Sequence, residues 1–285
     1  MDRPLLRMEE RPRRFPAHHP PSPSASPMTR LALALLGALL PGCSPSPSEP
    51  GLPDADVRIV FVGNSLTASY NLPGLVATIA KAQGRSVETV GLVAPNYSLE
   101  EHWRSGTAGR IRELRPDIVV FQQGPSSLPS SRQHLLAWTD SFAPVVREVG
   151  ATSAFLMVWP ELARVEVLDA VRESYRAAAG RAGGRFLPAG EAWRPLLSLS
   201  GPPAVEGLDP YGPDGFHPSL EGSVLTAYVV VRGLFGDSVQ GLPASMDPAD
   251  GRNPPIELDP AVAALIQRLA DDAVEAWPPT PTGAP

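Results

Sequence analysis

Arg58-Ile59-Val60-Phe61-Val62 runs directly into Gly63-Asn64-Ser65-Leu66-Thr67. Four consecutive apolar residues after the arginine read as a strand buried on both faces, the kind found inside a parallel sheet. The glycine starts a tight turn, and the serine stands where strand gives way to helix. In open α/β sheets the ligand crevice lies beyond the carboxyl ends of the strands. A serine placed there can point into that crevice while the following N–H groups face the same spot and stabilise an oxyanion. The same serine could instead simply cap the next helix. Thr67 occupies the place of the second glycine in a G-x-S-x-G elbow, which disfavours the common α/β-hydrolase arrangement.

Outward from this strand, which the apolar pattern bounds at 57–62, further apolar runs fall at 87–93, 118–122 and 153–158, with a weaker one at 185–187. Helical patterns separate them at 72–83, 106–114, 134–149 and 166–182, and two more follow at 222–235 and 260–277. Strand-helix alternation with unbroken apolar strands predicts a parallel sheet of about five strands, right-handed crossovers and cover on both faces. The expected fold class is an α/β three-layer α/β/α sandwich. Its strand ends direct attention to 63–67, 94–98, 122–127 and 159–161.

Near the other end stands Asp209-Pro210-Tyr211-Gly212-Pro213-Asp214-Gly215-Phe216-His217-Pro218-Ser219, a Gly/Pro-rich loop before a helix. Three residues apart in a turn, the Asp214 carboxylate can orient the His217 imidazole while the ring reaches toward a serine. By itself the pair reads as a capped loop with a solvated Asp and His. Together, Gly-Asn-Ser-Leu-Thr and Asp-Gly-Phe-His-Pro-Ser resemble the SGNH, or GDSL-type, hydrolase superfamily, in its order of serine first and Asp-x-x-His last. A bacterial branch of that superfamily is matched also at 98–103, 119–123, 158–159 and 188–193, and the resemblance extends from Val57 to Ser238.

The resemblance implies a flavodoxin-like SGNH hydrolase fold over 57–277 and a serine ester hydrolase with Ser65 as nucleophile, His217 as general base and Asp214 orienting it. It implies an acyl-serine intermediate, a small-molecule or glycan ester as substrate, and no cofactor. The alternative is a ligand-binding lipoprotein that keeps the fold but has lost efficient chemistry, because two family signatures are altered. The oxyanion glycine expected after the second strand is missing from Ala94-Pro95-Asn96-Tyr97-Ser98, where Asn96 is the substitute. In place of the asparagine after the third strand stand Gln122 and Gln123, whose amides can donate in the same way. Strand alternation sends these two to opposite sides, and Gln123 is preferred.

His102 resembles a position kept as histidine in the related branch, where it would line the pocket; it reads equally as a helix-surface residue beside two glutamates. Trp159 and Trp193 could form a substrate wall or pack in the core. His134 has no partner at useful spacing and reads as exposed. Gly236-Asp237-Ser238-Val239 nearly spells the GDSL motif, but it follows a helix and lies after the Asp-x-x-His, so it reads as a surface turn. With one cysteine and scattered histidines, no metal site is expected.

The 285 residues carry 24 basic and 30 acidic side chains, a net charge of −6. That balance excludes a basic nucleic-acid binder and a polybasic membrane surface. Of 35 prolines, sixteen lie at or before Pro53 or at or after Pro278, which leaves an ordinary globular middle between Pro-rich flanks. The apolar run at 31–40, preceded by Met28-Thr29-Arg30 and followed by Pro41-Gly42-Cys43, is too short to span a bilayer and reads as a signal-peptide core. Cys43 stands where lipoprotein signals carry the lipidated cysteine. The expected organisation is an upstream extension at 1–27, a lipoprotein-type signal at 28–43, a Ser/Pro-rich tether at 44–56, the hydrolase domain at 57–277 and a Pro-rich tail at 278–285. The expected location is export to the bacterial envelope with a lipid anchor as the membrane contact, or otherwise the periplasm or the extracellular space.

Overall fold

The computed structural model describes residues 57–197, 208–249 and 255–279. The signal-like run, Cys43, the 44–56 tether and residues 280–285 of the tail lie outside the described residues. In chain order the elements are β1 (Val57–Gly63), α1 (Ser65–Ala68), α2 (Leu72–Ala82), β2 (Val87–Val93), α3 (Leu99–Arg104), α4 (Thr107–Leu114), β3 (Ile118–Phe121), α5 (Pro129–Glu148), β4 (Thr152–Leu156), α6 (Leu168–Ala182) and β5 (Arg185–Leu187). They continue with α7 (Ala189–Trp193), α8 (Leu220–Phe235), the short strands β6 (Ser245–Met246) and β7 (Ile256–Glu257), and α9 (Pro260–Ala276).

The main sheet is parallel throughout, in the order β2-β1-β3-β4-β5. From β1 the chain crosses outward to β2 and then reverses to β3 on the other side of β1. Right-handed crossovers therefore place α2 on one face and α4, α5 and α6 on the other. After β5 the chain returns, so that α8 packs on α2 and α9 on α8. The reversal makes the gap between the carboxyl ends of β1 and β3 the topological switch point, where such sheets open a crevice. Ser65 follows β1, and Gln122 and Gln123 follow β3.

Ile59 to Val62, Val119 to Phe121 and Ala154 to Leu156 are buried, as their apolar runs predict. By contrast β2, at one edge of the sheet, is only partly covered. Helix α5 begins at Pro129, five residues before the apolar period suggests. Proline suits the first helical turn, where its missing N–H has no partner to lose. The polar 130–133 stretch carries no periodic signal, so that turn was hidden. The four- to six-residue helices α1, α3 and α7 likewise lack the length for a period to show.

Gly222, at the start of α8, has a packing reason. A Cβ there would lie 2.8 Å from the Trp193 ring and closer still to the Pro210 carbonyl. Its absence lets the helix start lie against the loop that carries Asp214 and His217. Ser219 caps the same helix, accepting from the Gly222 N–H at 3.1 Å. Among the described residues no helix is long and apolar enough to cross a membrane.

Candidate active site

The turn after β1 is built from side chains that hold it from several directions. Asn64 caps α1, its Oδ1 accepting from the Leu66 N–H at 3.1 Å, which leaves Ser65 as the first helical residue. The Asn64 Nδ2 donates to the Tyr97 carbonyl at 3.3 Å. Gln122 Oε1 accepts from both the Asn64 N–H at 3.0 Å and the Thr67 hydroxyl at 2.8 Å. Gly63 is required by this crowding, since a Cβ would lie 2.7 Å from that same oxygen and nearer still to the Thr67 hydroxyl. From below, His102 Nε2 donates to the Gly63 carbonyl at 2.8 Å.

His217 approaches from the far loop. Its Nε2 lies 2.8 Å from Ser65 Oγ, and its Nδ1 lies 2.6 Å from Asp214 Oδ2. The other carboxylate oxygen, Oδ1, accepts from the N–H groups of Phe216 at 3.0 Å and His217 at 2.9 Å. These bonds, the one to the imidazole first, hold the Asp214 carboxyl down at about 2. It is therefore ionised throughout the ordinary pH range and able to favour the tautomer that presents Nε2 as an acceptor to serine. The pair is open to solvent, with side chains 39% exposed for His217 and 53% for Asp214.

The loop itself is fastened to the end of β4. Trp159 Nε1 donates to the Phe216 carbonyl at 2.9 Å, the Leu162 N–H to the Gly215 carbonyl at 2.8 Å, and the Tyr211 hydroxyl to the Pro160 carbonyl at 2.7 Å. Trp159 and Trp193 are buried and stacked, 3.5 Å between centroids and 8° between planes. Core packing is their role, not a substrate wall, and Trp159 acts on the site only by anchoring the residue before His217.

His102 departs from both readings of the sequence. It is 3% exposed, so it is neither a pocket-lining group nor a helix-surface one. Because Gly63 offers only a carbonyl, Nε2 carries the proton and Nδ1 accepts from the Thr107 hydroxyl at 3.2 Å. Burial pushes its pKa below the ordinary 6.5, outweighing the carbonyl bond that acts the other way. His134 is also corrected: it is half-buried and pairs with Glu100 at 2.8 Å. This contact runs between α5 and α3, so spacing within either helix could not reveal it.

Both glutamines after β3 are buried and already hydrogen-bonded. Gln122 donates its Nε2 to the Gln123 carbonyl and braces the turn at Ser65 through its oxygen. Gln123 accepts from the Leu99 N–H at 3.2 Å and donates to Ser126 Oγ at 2.9 Å, leaving one amide hydrogen uncommitted. Asn96 has φ 61, and the Tyr97 N–H bonds back to the Ala94 carbonyl at 3.2 Å. Proline followed by a left-handed residue is the pattern of a type II turn, in which asparagine is the side-chain-bearing residue best able to replace glycine. Among the described residues the main-chain N–H groups of Ser65 and Asn96 have no protein acceptor.

Ser238, in the motif-like turn, follows a Gly236 with φ 88 that ends α8, and its hydroxyl bonds Asp271. Among the described residues its hydroxyl makes no hydrogen bond to a histidine. Among the described residues no cluster of His, Cys, Asp or Glu is arranged to hold a metal ion.

No family model and no curated protein sequence matches the chain. Solved structures do. A DUF4886 family protein from Bacteroides uniformis superposes with a TM-score of 0.61 at 15% identity, over 78% of this chain and 95% of its own. A protein from Slackia heliotrinireducens assigned as an SGNH hydrolase gives 0.52 at 22% identity, over 62% and 97%. The fold is that of the SGNH hydrolases. A lipase/acylhydrolase from Enterococcus faecalis, with a TM-score of 0.50 at 18% identity over 63% and 96%, shares it. In the SGNH fold of this chain the serine, histidine and aspartate lie at the switch point between β1 and β3.

The neutral, buried His102 has a pH consequence. The unfolded chain takes up a proton near 6.5 that the folded chain resists, so this residue's contribution is complete above that pH and is lost as pH falls toward the lower folded value. Urea unfolding at pH 7.5 and 5.5 should show the wild type losing stability, by up to about 1.4 kcal/mol per pH unit from this residue. His102→Gln should be less stable at pH 7.5 but decline less steeply. Parallel declines in the two proteins would show that His102 is not the group responsible.

Proposed function

We propose that the protein is a serine ester hydrolase that works through an acyl-serine intermediate. The observation that carries this reading is the hydrogen-bonded chain from Ser65 through His217 to an Asp214 that stays ionised. Ser65 Oγ attacks the ester carbonyl as its proton passes to His217 Nε2. The imidazolium, stabilised by Asp214, gives that proton to the leaving alcohol oxygen as the carbon–oxygen bond breaks. A water molecule activated by the same nitrogen then attacks the acyl-serine, freeing the acid and restoring Ser65. No redox step is involved, and the balance is ester plus water to acid plus alcohol.

The tetrahedral oxyanion needs donors already in place. The Ser65 N–H and the Asn96 N–H are the main-chain candidates, since Asn64 ties the Asn96 turn to the nucleophile turn through the Tyr97 carbonyl. The uncommitted hydrogen of Gln123 Nε2 is the side-chain candidate. Short acyl groups on carbohydrate or other small alcohols are the substrate class proposed, and attachment to the bacterial envelope through Cys43 is proposed from the signal-like sequence before it.

Labelling with a fluorophosphonate probe should modify Ser65, and Ser65→Ala should lose both the label and at least about 1,000-fold in esterase activity while remaining as stable as wild type. An intact protein that never takes the label at Ser65 would favour the ligand-binding alternative.

Gln123→Ala should lower kcat by about 100-fold with little change in KM if its amide completes the oxyanion site. An unchanged kcat would leave the site to main-chain donors.

Expressed in bacteria, the wild type should partition into detergent and carry acyl mass at Cys43, and Cys43→Ser should abolish both. A wild-type Cys43 without acyl mass would overturn the anchor.

A further inference from the structure

Five residues beyond Ser65 the chain adopts a conformation that presenting a nucleophile does not demand. Tyr70 and Asn71 both have left-handed backbone angles, with φ 48 and 51. For Asn71 the conformation is tolerable and useful, because its side chain accepts from the Gly74 N–H at the start of α2. For a bulky aromatic it is an outlier of the kind that concentrates at functional sites. Tyr70 gains nothing from the fold in exchange. Tyr70 is 54% exposed, and its hydroxyl has no hydrogen-bond partner among the described residues.

What the conformation does is present the ring to the active site. Tyr70 lines an open cleft of about 400 Å³ together with Ser69, Pro213, Pro218, Asp214 and His217. The direction of the reaction says which half of the ester this cleft receives. His217 Nε2 must hand its proton to the leaving oxygen, so the alcohol lies on the histidine side of Ser65, while the acyl carbonyl faces the oxyanion donors.

We propose that Tyr70 is a specificity-determining residue that forms the platform for the leaving alcohol, and that this alcohol carries a rigid ring beside its ester oxygen. The inference rests on the esterase reading above. The aromatic face and the two proline rings offer broad contact without charge, and the lining carboxylate of Asp214 is already occupied by three hydrogen bonds. A rigid ring laid on such a surface gains contact area while few torsions are frozen, whereas an alkyl chain has more freedom to lose. Sugar rings and aryl rings share this chemistry.

The test compares kcat and KM on ethyl acetate, phenyl acetate and an acetylated methyl pyranoside for wild type, Tyr70→Asn and Tyr70→Trp. Asparagine keeps the left-handed backbone comfortable while deleting the ring, so relief of strain is separated from loss of the platform. Relative to ethyl acetate, kcat/KM of Tyr70→Asn on a ring-bearing ester should fall about tenfold, carried by KM, and Tyr70→Trp should restore it. A fall confined to the pyranoside assigns a sugar alcohol, and one confined to phenyl acetate assigns an aryl alcohol. Equal losses on all three esters, or an unchanged ratio on both ring esters, would overturn the platform. If the wild type cleaves none of the three and takes no fluorophosphonate at Ser65, the esterase reading itself falls and the platform with it.

Discussion

One carboxamide oxygen holds together the part of the molecule on which the rest of the site depends. Gln122 Oε1, at the end of β3, accepts from the main chain of Asn64 and the side chain of Thr67, on either side of Ser65. The two bonds join the central strands where the sheet reverses direction and where the main-chain ladder has run out. Their geometry allows no Cβ at residue 63, and they leave His102 to hold the carbonyl on the opposite side of the turn. A buried acceptor facing two buried donors must be satisfied completely, because any one of them left unpaired costs about 1–3 kcal/mol. Ser65 is therefore fixed by groups other than the histidine it meets.

The loop that carries Asp214 and His217 is held on a different principle. Its loop has little regular structure and is positioned by single hydrogen bonds from Trp159, Leu162 and Tyr211, which come from the segment following β4 or reach back to it. Trp159 is in turn immobilised by its stack on Trp193, whose own N–H reaches Thr226 on α8 at 3.3 Å. Residues 152 positions apart thus meet at 2.8 Å because each is tied to the same sheet. Asp214 needs no burial to remain ionised, since its bonds to His217 and to two N–H groups suffice.

The elements were legible in the sequence wherever the information was local. Apolar stretches marked the strands, most weakly the three residues of β5, the strand-to-turn transition at Gly63 marked Ser65, and the three-residue spacing of Asp214 and His217 suited a turn. What escaped was whatever depends on a partner distant in sequence. His102 is buried because the Gly63 carbonyl lies 2.8 Å away, 39 residues earlier in the chain. His134 finds Glu100 across two helices, and Gln122 serves β1 and not the pocket alone. The turn at Pro95-Asn96 was visible as a missing glycine, although proline followed by asparagine is itself a turn signal that retains glycine's backbone shape. Nothing in the order of residues announces the left-handed angles at Tyr70.

On the proposed esterase reading, the exposure of His217 and Asp214 has a consequence for the fate of an acyl group on Ser65. With the imidazole in direct contact with solvent, its proton exchanges with bulk water and no internal relay is needed between turnovers. A cleft that let the first alcohol depart would equally admit a second, and a nitrogen able to activate water could activate that alcohol. At such an open site water and alcohol compete for the acyl group by concentration and fit. A concentrated alcohol that fits the cleft would then divert turnover from hydrolysis to acyl transfer.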